Sequence, residues 1–516
     1  MSSPTEIEIK LQLPSTNDAR LRRIPLLRRA STSKQSKNQV SVYFDTKRMK
    51  LKRSGLTLRV RSVDGRYVQT IKSDGVNLFE RGEWEKEIKD SRPDLNYGET
   101  SPLEPLGLKK LRKRLRPLFE TRVQRTTYPL RHKGSDIELA IDRGEIDAGG
   151  LTLPLCEAEF ELKQGDRTLL FDVARNFAAA ASAELATRSK AQRGFALLTG
   201  ETAEIAKAED IELTAEMSAR AAFQSIASAC LKQIIGNKPA ILADRAEGIH
   251  QMRIGLRRLR AAISLFADLV SEAELRPIKA ELKWLTNELG PAREFEVFLS
   301  QVVAPLKKRH ARLAGMRSLS RDLEERREAA RKRALAAICS KRFRALTLNV
   351  AGWLETGSWR EPQDGKQREF CEEPIETAAQ AQLKRRWKKI RKRGRQLAKL
   401  DPGARHKLRI DAKKLRYATE FYETVFDRRK QRKQRAAFLS ALKDMQDCLG
   451  ELNDIFMHEK LATGMANAPA SRSPQRSREL FAAGLLAGRE EARLKPLLTS
   501  AESAFQRFEK LKPYWR

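Results

Sequence analysis

The sequence predicts an α+β chain: an N-terminal antiparallel β region followed by an all-α region with an internal repeat. Three observations predict it. Up to about Glu161, short runs alternate apolar and charged residues with a period of two, and turn residues separate them. From Ile211 onward the period becomes helical and strand signals disappear. Within that second part, a pattern beginning at His250 returns position for position at His406.

Bulk properties narrow the partners. A chain of 516 residues exceeds one ordinary core and should divide into two or three domains. Residues 1–200 carry 38 Lys and Arg against 26 Asp and Glu, and the remainder 64 against 41, so both parts are basic. A polyanion is the expected partner: nucleic acid, an acidic membrane surface or a phosphate polymer. Aromatic residues make up only 6%, thin for a protein that stacks on bases, which makes nucleic acid the weaker expectation. Cys156, Cys230, Cys339, Cys371 and Cys448 are scattered and form no Cys-x-x-Cys pair. With no bilayer-length apolar run and no leader at Met1 to Lys10, the expectation is a soluble, cytoplasmic protein without zinc.

The chain opens on Glu6-Ile7-Glu8-Ile9-Lys10. In a strand, Glu6, Glu8 and Lys10 share one face while Ile7, Ile9 and Leu11 share the other. Ser15-Thr16-Asn17-Asp18 offers helix caps before a short basic segment. Alternation then marks strands at Val40 to Asp45, Leu56 to Arg61, Val68 to Lys72, Arg81 to Ile88, Ile137 to Asp142 and Leu155 to Leu162. Asp64-Gly65, Asp74-Gly75 and Gly149-Gly150 supply turns between them.

Charge recurs in phase on strand after strand. Arg59 and Arg61 share a face, as do Arg81, Glu83, Glu85 and Glu87, then Glu138 and Asp142, then Glu157, Glu159 and Glu161. A flat sheet could expose all of these to water. A closed barrel of about eight strands could instead line its lumen with them. In a lumen, Arg and Lys rows would bind an anion, and clustered carboxylates would require a hard cation such as Mg²⁺ or Mn²⁺.

Taken in order, Glu6-x-Glu8-x-Lys10, Tyr43-Phe44-Asp45-Thr46, Leu58-Arg59-Val60-Arg61, Ile71-Lys72, Arg81-Gly82-Glu83-Trp84-Glu85, Glu138-Leu139-Ala140-Ile141-Asp142, Cys156-Glu157-Ala158-Glu159-Phe160 and Ser189-Lys190 resemble the CYTH domain. That family includes triphosphate tunnel metalloenzymes, thiamine triphosphatases and class IV adenylate cyclases. The resemblance implies a tunnel of antiparallel strands. It also implies phosphate-gripping roles for Lys10, Arg59, Arg61, Lys72, Arg125 and Lys190, with Arg81 and Arg193 beside them. Glu6, Glu8, Glu157 and Glu159 match its metal carboxylates, which Asp142 and Glu138 would complete. Two divalent ions would position a water for attack on the terminal phosphorus, with Glu8 as candidate proton acceptor and Lys10, Arg59 and Arg61 absorbing developing charge. No Cys or His is placed as a nucleophile, and no Gly-x-x-x-x-Gly-Lys-Ser/Thr loop suggests another phosphate machine.

Residues 1–200 are thus expected to form one domain, 201–210 an acidic connector, and 211–516 a helical domain. His250, Arg253, Arg257 and Arg260 fall in one sector of a helix, opposite Met252, Leu256, Leu259, Ile263 and Phe266. His406, Arg409, Lys413 and Arg416 do the same opposite Leu408, Leu415 and Tyr422. Leu289-Gly290 follows the first His by 40 residues and Leu449-Gly450 the second by 44. These helices, with Leu289-Gly290-Pro291-Ala292-Arg293, Leu449-Gly450-Glu451-Leu452-Asn453-Asp454 and the closing Lys512-Pro513-Tyr514-Trp515, resemble the CHAD domain. Glu294 and Glu296 stand, in what reads as a loop, where that family more often has aspartates. The resemblance implies a pseudo-symmetric pair of helical bundles that binds inorganic polyphosphate, through the two His-Arg sets just named. Lys384 to Arg395 adds nine cations in twelve residues, and Gly464 to Arg478 reads as an exposed loop.

The expected function is metal-dependent hydrolysis of inorganic triphosphate or another small triphosphate, joined to polyphosphate binding, with association with polyphosphate granules. The alternatives are a non-catalytic polyphosphate scaffold, a class IV-type adenylate cyclase, or a nucleic-acid 5′-triphosphatase.

Overall fold

The computed structural model describes residues 5–14, 18–73, 75, 78–96, 102–201, 203–309, 314–362, 364–466 and 474–515. The expected caps at Ser15-Thr16-Asn17, and Asp74 of the second turn, lie outside the described residues.

Eight strands follow one another: β1 (Thr5–Gln12), β2 (Gln35–Asp45), β3 (Leu56–Val63), β4 (Arg66–Ser73), β5 (Glu80–Ile88), β6 (Arg116–His132), β7 (Ser135–Ala148) and β8 (Leu151–Gln164). They pair antiparallel in the order β5-β4-β3-β2-β6-β7-β8-β1, and β1 pairs again with β5 to close a barrel. Closure rules out the flat sheet. A short ninth strand, β9 (Glu184–Leu185), pairs with the far end of β1.

Two-residue turns make several hairpins. Asp64-Gly65 and Gly149-Gly150 take positive φ as expected, and so does Lys133-Gly134 between β6 and β7. β6 itself was not expected. Its polar, threonine-rich sequence masks the alternation, and Pro117 and Pro129 argue against a strand; Pro129 is tolerated because β6 has no β2 partner beyond Thr127.

The strand registers carry every in-phase charge to the same side. Lys10 faces Glu159, Asp142 faces both Arg125 and Glu157, Lys72 faces Glu83, and Glu6 faces Arg81. The opposite phase is apolar and packs outward: Leu56, Leu58 and Ile71 against Leu51, Leu95, Leu103 and Leu111. Phe160 packs edge-on against Phe177 of α1 (Arg167–Ala181). Asp45 is wholly buried for a structural reason, because its carboxylate accepts from the backbone N–H groups of Thr46, Leu51 and Lys52.

One stretch of the inward face is apolar. Tyr43, Phe119, Val123, Ile146, Ala148 and Leu155 form a cluster with Ala191, Phe195 and Leu197 of α2 (Lys190–Thr199). Phe119 stacks on Tyr43 and meets Phe195 edge-on. Ser189 caps α2 through a reciprocal capping box with Gln192, which sets Lys190 as its first helical residue. Gly144 lies between Asp142 and Ile146 at φ +157°, where a Cβ would stand 1.9 Å from the Arg122 carbonyl oxygen.

The rest is helical, and its longer helices are α3 (Ala219–Gly236), α4 (Ala246–Leu265), α5 (Glu272–Phe298), α6 (Ala314–Cys339), α7 (Lys341–Thr356), α8 (Ile375–Gly394), α9 (Pro402–Phe421), α10 (Arg429–Ala466) and α11 (Pro474–Lys510). Regular helix begins at Ala219, later than the helical period suggested. Leu289-Gly290-Pro291 and Leu449-Gly450 lie inside α5 and α10, so the segment holding Glu294 and Glu296 is helix and not a loop. Gly464–Ala466 likewise ends a helix and Pro474–Arg478 begins the next; residues 467–473 lie outside the described ones.

The chain forms two compact units. One comprises Met1–Ala208, Ser228–Met252 and Ile338–Gly357; the other comprises Glu209–Ala227, Arg253–Ala337 and Ser358–Arg516. In the first, Lys238 pairs with Glu184 of β9, and Asn237 exchanges two hydrogen bonds with the Ala206 backbone. In the second, Tyr514 and Trp515 are buried against Phe438, and Trp387 meets Trp515 edge-on.

Candidate functional site

Three carboxylates meet inside the barrel. Asp142, Glu157 and Glu159 are buried and offer oxygens all within 4.8 Å of one another. Antiparallel pairing of β7 and β8 is what joins them, since Asp142 stands opposite Glu157. Lys190 Nζ, brought in by α2, lies 2.7 Å from Asp142 and 2.8 Å from Glu159 and also pairs with Glu157. Arg125 grips Asp142 with two hydrogen bonds of 2.7 Å and also reaches Glu159. Lys10 Nζ lies 2.9 Å from both Glu159 and Glu8, yet Glu8 Oε2 accepts no hydrogen bond. Arg193 donates to Glu157 at 3.2 Å.

Burial opposes charge on all of these groups, and neighbours decide the outcome. For the Lys190 ammonium, burial is outweighed by Asp142, Glu157 and Glu159, which hold it well above its ordinary value. Burial pushes Glu157 up despite Lys190, whereas Lys10, Lys190 and Arg125 overcome it at Glu159 and hold that carboxyl well below the usual range.

A second row of cations lies on the adjoining strands. Arg59 and Arg61 on β3 and Lys72 on β4 are largely buried and face β5, where Glu83 lies 3.2 Å from Lys72 and 4.0 Å from Arg59, and Glu85 lies 3.3 Å from Arg61. The Nε atoms of Arg59 and Arg61 are buried without a hydrogen-bond partner. Arg59, then burial, lowers Arg61 to about 10. Arg81 lines a small cavity with Glu8, Lys10, Phe79 and Thr187.

The structure therefore brings together Glu8, Lys10, Arg125, Asp142, Glu157, Glu159, Lys190 and Arg193, with Arg59, Arg61, Lys72 and Arg81 on neighbouring walls of the lumen. Glu138 stays apart: it is 38% exposed and pairs at 3.9 Å with Lys163. Glu6 lies opposite Arg81 in β1, but its side chain is outside the described residues. Glu83 and Glu85 share their phase with Arg81 in the sequence, but their role as counter-charges appears only when β5 pairs with β4.

The donor set fits a divalent cation: three buried carboxylates with oxygens close together, and no sulfur or imidazole among them.

In the second unit the part of α4 from Arg253 onward meets α9. Arg257 of α4 is close enough to Arg409 and Lys413 of α9 to disfavour charge on both. Lys413 is pushed down to about 7 by burial, Arg409, Arg257 and Arg416, with Asp454 only partly opposing them. The Nε atoms of Arg257 and Arg409 are buried without a hydrogen-bond partner. Arg253 pairs with Glu294 at 3.8 Å, and Arg409 is drawn to Asp454, so Glu294 does the work of an aspartate at the matching position. Arg416 is half-buried, and Arg260 exposed. His406 is exposed and shares a hydrogen bond of 2.5 Å with Asn453; His250 is half-buried at the start of the stripe on α4. Met252, Leu256, Leu259, Ile263 and Phe266 are buried, as the helical period required.

A closed eight-stranded barrel with clustered lumenal carboxylates and cations, followed by a repeated basic helical region, defines the class of the protein. The chain carries a CYTH domain at residues 4–195 followed by a CHAD domain at residues 225–463. A stretch of 162 residues is 30% identical to the inorganic triphosphatase of Haemophilus influenzae, covering 30% of this chain and 45% of that relative, less than half its length. Among solved structures, the CHAD domain from the plant Ricinus communis is 26% identical and matches 58% of this chain and 96% of its own length, with a TM-score of 0.48. A candidate adenylyl cyclase from Hippeastrum, described as having a dominant triphosphatase activity, is 22% identical and matches 37% of this chain and 95% of its own, with a TM-score of 0.28. No helix among the described residues is long and apolar enough to cross a membrane.

Proposed function

We propose that the barrel hydrolyses inorganic triphosphate or a similarly small triphosphate with Mg²⁺ or Mn²⁺, and that the helical region binds inorganic polyphosphate. The observation that carries this reading is the meeting of the buried carboxylates Asp142, Glu157 and Glu159 with Lys10, Arg125 and Lys190, beside a second row in which the Nε donors of Arg59 and Arg61 have no hydrogen-bond partner in the protein. The partial identity to an inorganic triphosphatase supports the choice of substrate.

Each residue then has a task. Asp142, Glu157, Glu159, Glu8 and Glu6 would hold the cation. That ion would polarise phosphoryl oxygens and lower the pKa of a bound water. Arg59, Arg61, Lys72 and Arg81 would grip phosphate oxygens from one wall, and Lys10, Arg125, Lys190 and Arg193 from the other. Glu83 and Glu85 hold the Arg and Lys row in place until phosphate oxygens replace them. Glu8, buried beside the carboxylates and 2.9 Å from the Lys10 ammonium, would be the proton acceptor for an attacking water. Glu138 is too exposed to belong to this set.

In the helical region, polyphosphate binding is assigned to His250, Arg253, Arg257, Arg260, His406, Arg409, Lys413 and Arg416. Residues 1–200 and 211–516 are taken as the two domains, joined by 201–210, and the protein as cytoplasmic and drawn to polyphosphate granules.

The test is phosphate release from inorganic triphosphate, ATP, thiamine triphosphate and a 5′-triphosphorylated RNA, with Mg²⁺ or Mn²⁺ and a Glu159→Gln control. Release fastest from inorganic triphosphate, and lost in the control, is expected. No release from any substrate would replace the enzyme by a scaffold; cyclic AMP from ATP would make it a cyclase; preference for the RNA would move it to nucleic-acid ends.

A further inference from the structure

The two repeats are offset by 156 residues, so Arg257 matches Lys413, Arg258 matches Lys414, Arg260 matches Arg416, and Ser264 matches Glu420. Contacts between α4 and α9 are reciprocal in these terms. Arg258 donates to Glu420 at 3.5 Å, and Lys414 donates to Ser264 Oγ at 3.4 Å. Such an exchange is the mark of an isologous pairing, with one crossing contact at each end and Arg257 of α4 within electrostatic reach of Lys413 of α9.

The ends differ in charge. At one, the Glu420 carboxylate serves two cations, since Arg416 Nε also lies 3.3 Å from it. At the other, Ser264 is neutral, and three elements bring cations towards it. Lys414 feels Arg260, Arg386 and Lys389 as like charges. Arg386 of α8 donates to the Ser264 carbonyl at 3.0 Å, and its Nε is buried without a hydrogen-bond partner. Asp411 is the acid facing this group, and it already pairs with Lys389 and Arg393. Burial and Arg385 hold the Arg386 guanidinium below its ordinary value, and burial and Arg386 do the same to the Lys414 ammonium. Cations crowded in this way are relieved by an anion.

We propose that a phosphate chain seated on the α4 and α9 stripes continues off them on one side only, over Ser264, where Arg260, Arg386, Lys389 and Lys414 extend its track, and that Glu420 closes the other side. The inference rests on the polyphosphate reading above and adds a direction to it. A serine in place of a glutamate at matching positions turns a near-symmetric surface into a one-ended track.

The test measures binding of a short and a long inorganic polyphosphate by calorimetry on the full chain, with Ser264→Glu, Glu420→Ser and the double exchange. Ser264→Glu should weaken long-chain binding by about tenfold and short-chain binding much less, because a like charge is then set in the path. Glu420→Ser should tighten long-chain binding, and the double exchange should return it near the starting value. Unchanged melting temperatures and unchanged triphosphate turnover will show that the effects are local. Long-chain affinity indifferent to Ser264→Glu, or to Glu420→Ser, would overturn the inference alone. Failure of the unsubstituted chain to bind either polyphosphate would overturn the polyphosphate reading and this inference with it.

Discussion

Glu157 and Glu159 stand two residues apart on one strand and share a face, yet burial prevails at the first while three cations prevail at the second. That difference is set by which side chains arrive from β1, β6 and α2. Lys413 presents the inverse case, a cation held near 7 by burial, Arg409, Arg257 and Arg416, which together outweigh Asp454. A bound polyanion would raise it again, so binding should take up a proton. Above about pH 7 affinity should then fall with rising pH, until the bound state also loses its proton. Calorimetry with polyphosphate in buffers of different ionisation enthalpy reads the uptake directly, and Lys413→Arg should remove it. Identical heats in every buffer for the unsubstituted protein would contradict this account.

Elements place these residues, and some elements were easier to read than others. Strand phase was legible because charge and apolar residues alternate: Lys10, Arg59 and Glu159 could be assigned to a face before their partners were known. β6 was not, since Thr126, Thr127 and Pro129 blur its period, and Arg125 was found through the family resemblance. The helical stripes of α4 and α9 were legible from a period that their buried residues obey. α2 couples the site to packing, because Lys190 opens it and Gly194 lies against Phe119. A Cβ at Gly194 would stand 2.1 Å from that ring, so Gly194→Ala must shift either the helix or the aromatic cluster. A loss of about 1–3 kcal/mol in stability is expected. Turnover of inorganic triphosphate should fall with it, as Lys190 moves from the carboxylates. Thermal melting and phosphate release measure the two effects, and full activity at lowered stability would separate Lys190 from the chemistry.

At the scale of the molecule, the barrel's unit includes helical segments distant in sequence. Lys238 is buried against Glu184 and lies over the Phe343 ring, and Gly352 packs against Phe171 and Arg175. A chain ended at residue 200 would lose those contacts and expose Phe171 and Glu184. Its melting temperature should lie several degrees below that of the barrel transition in the full chain, at about 2–4 °C per kcal/mol lost. Calorimetry on both proteins checks this; equal melting would show that the barrel stands alone. From its own residues the sequence determined the α+β order, the faces on which charge gathers and the repeat of the basic helices, because these follow from local periods of 2 and 3.6 residues. Only the tertiary structure decided that the sheet closes, that Asp142 joins Glu157 and Glu159 while Glu138 does not, that Glu83 and Glu85 pair with the lysine and arginines of β3 and β4, and that Glu420 meets Arg258 while Ser264 meets Lys414. Those outcomes depend on register and packing between segments up to 162 residues apart, as with Arg258 and Glu420, and no local period encodes such distances.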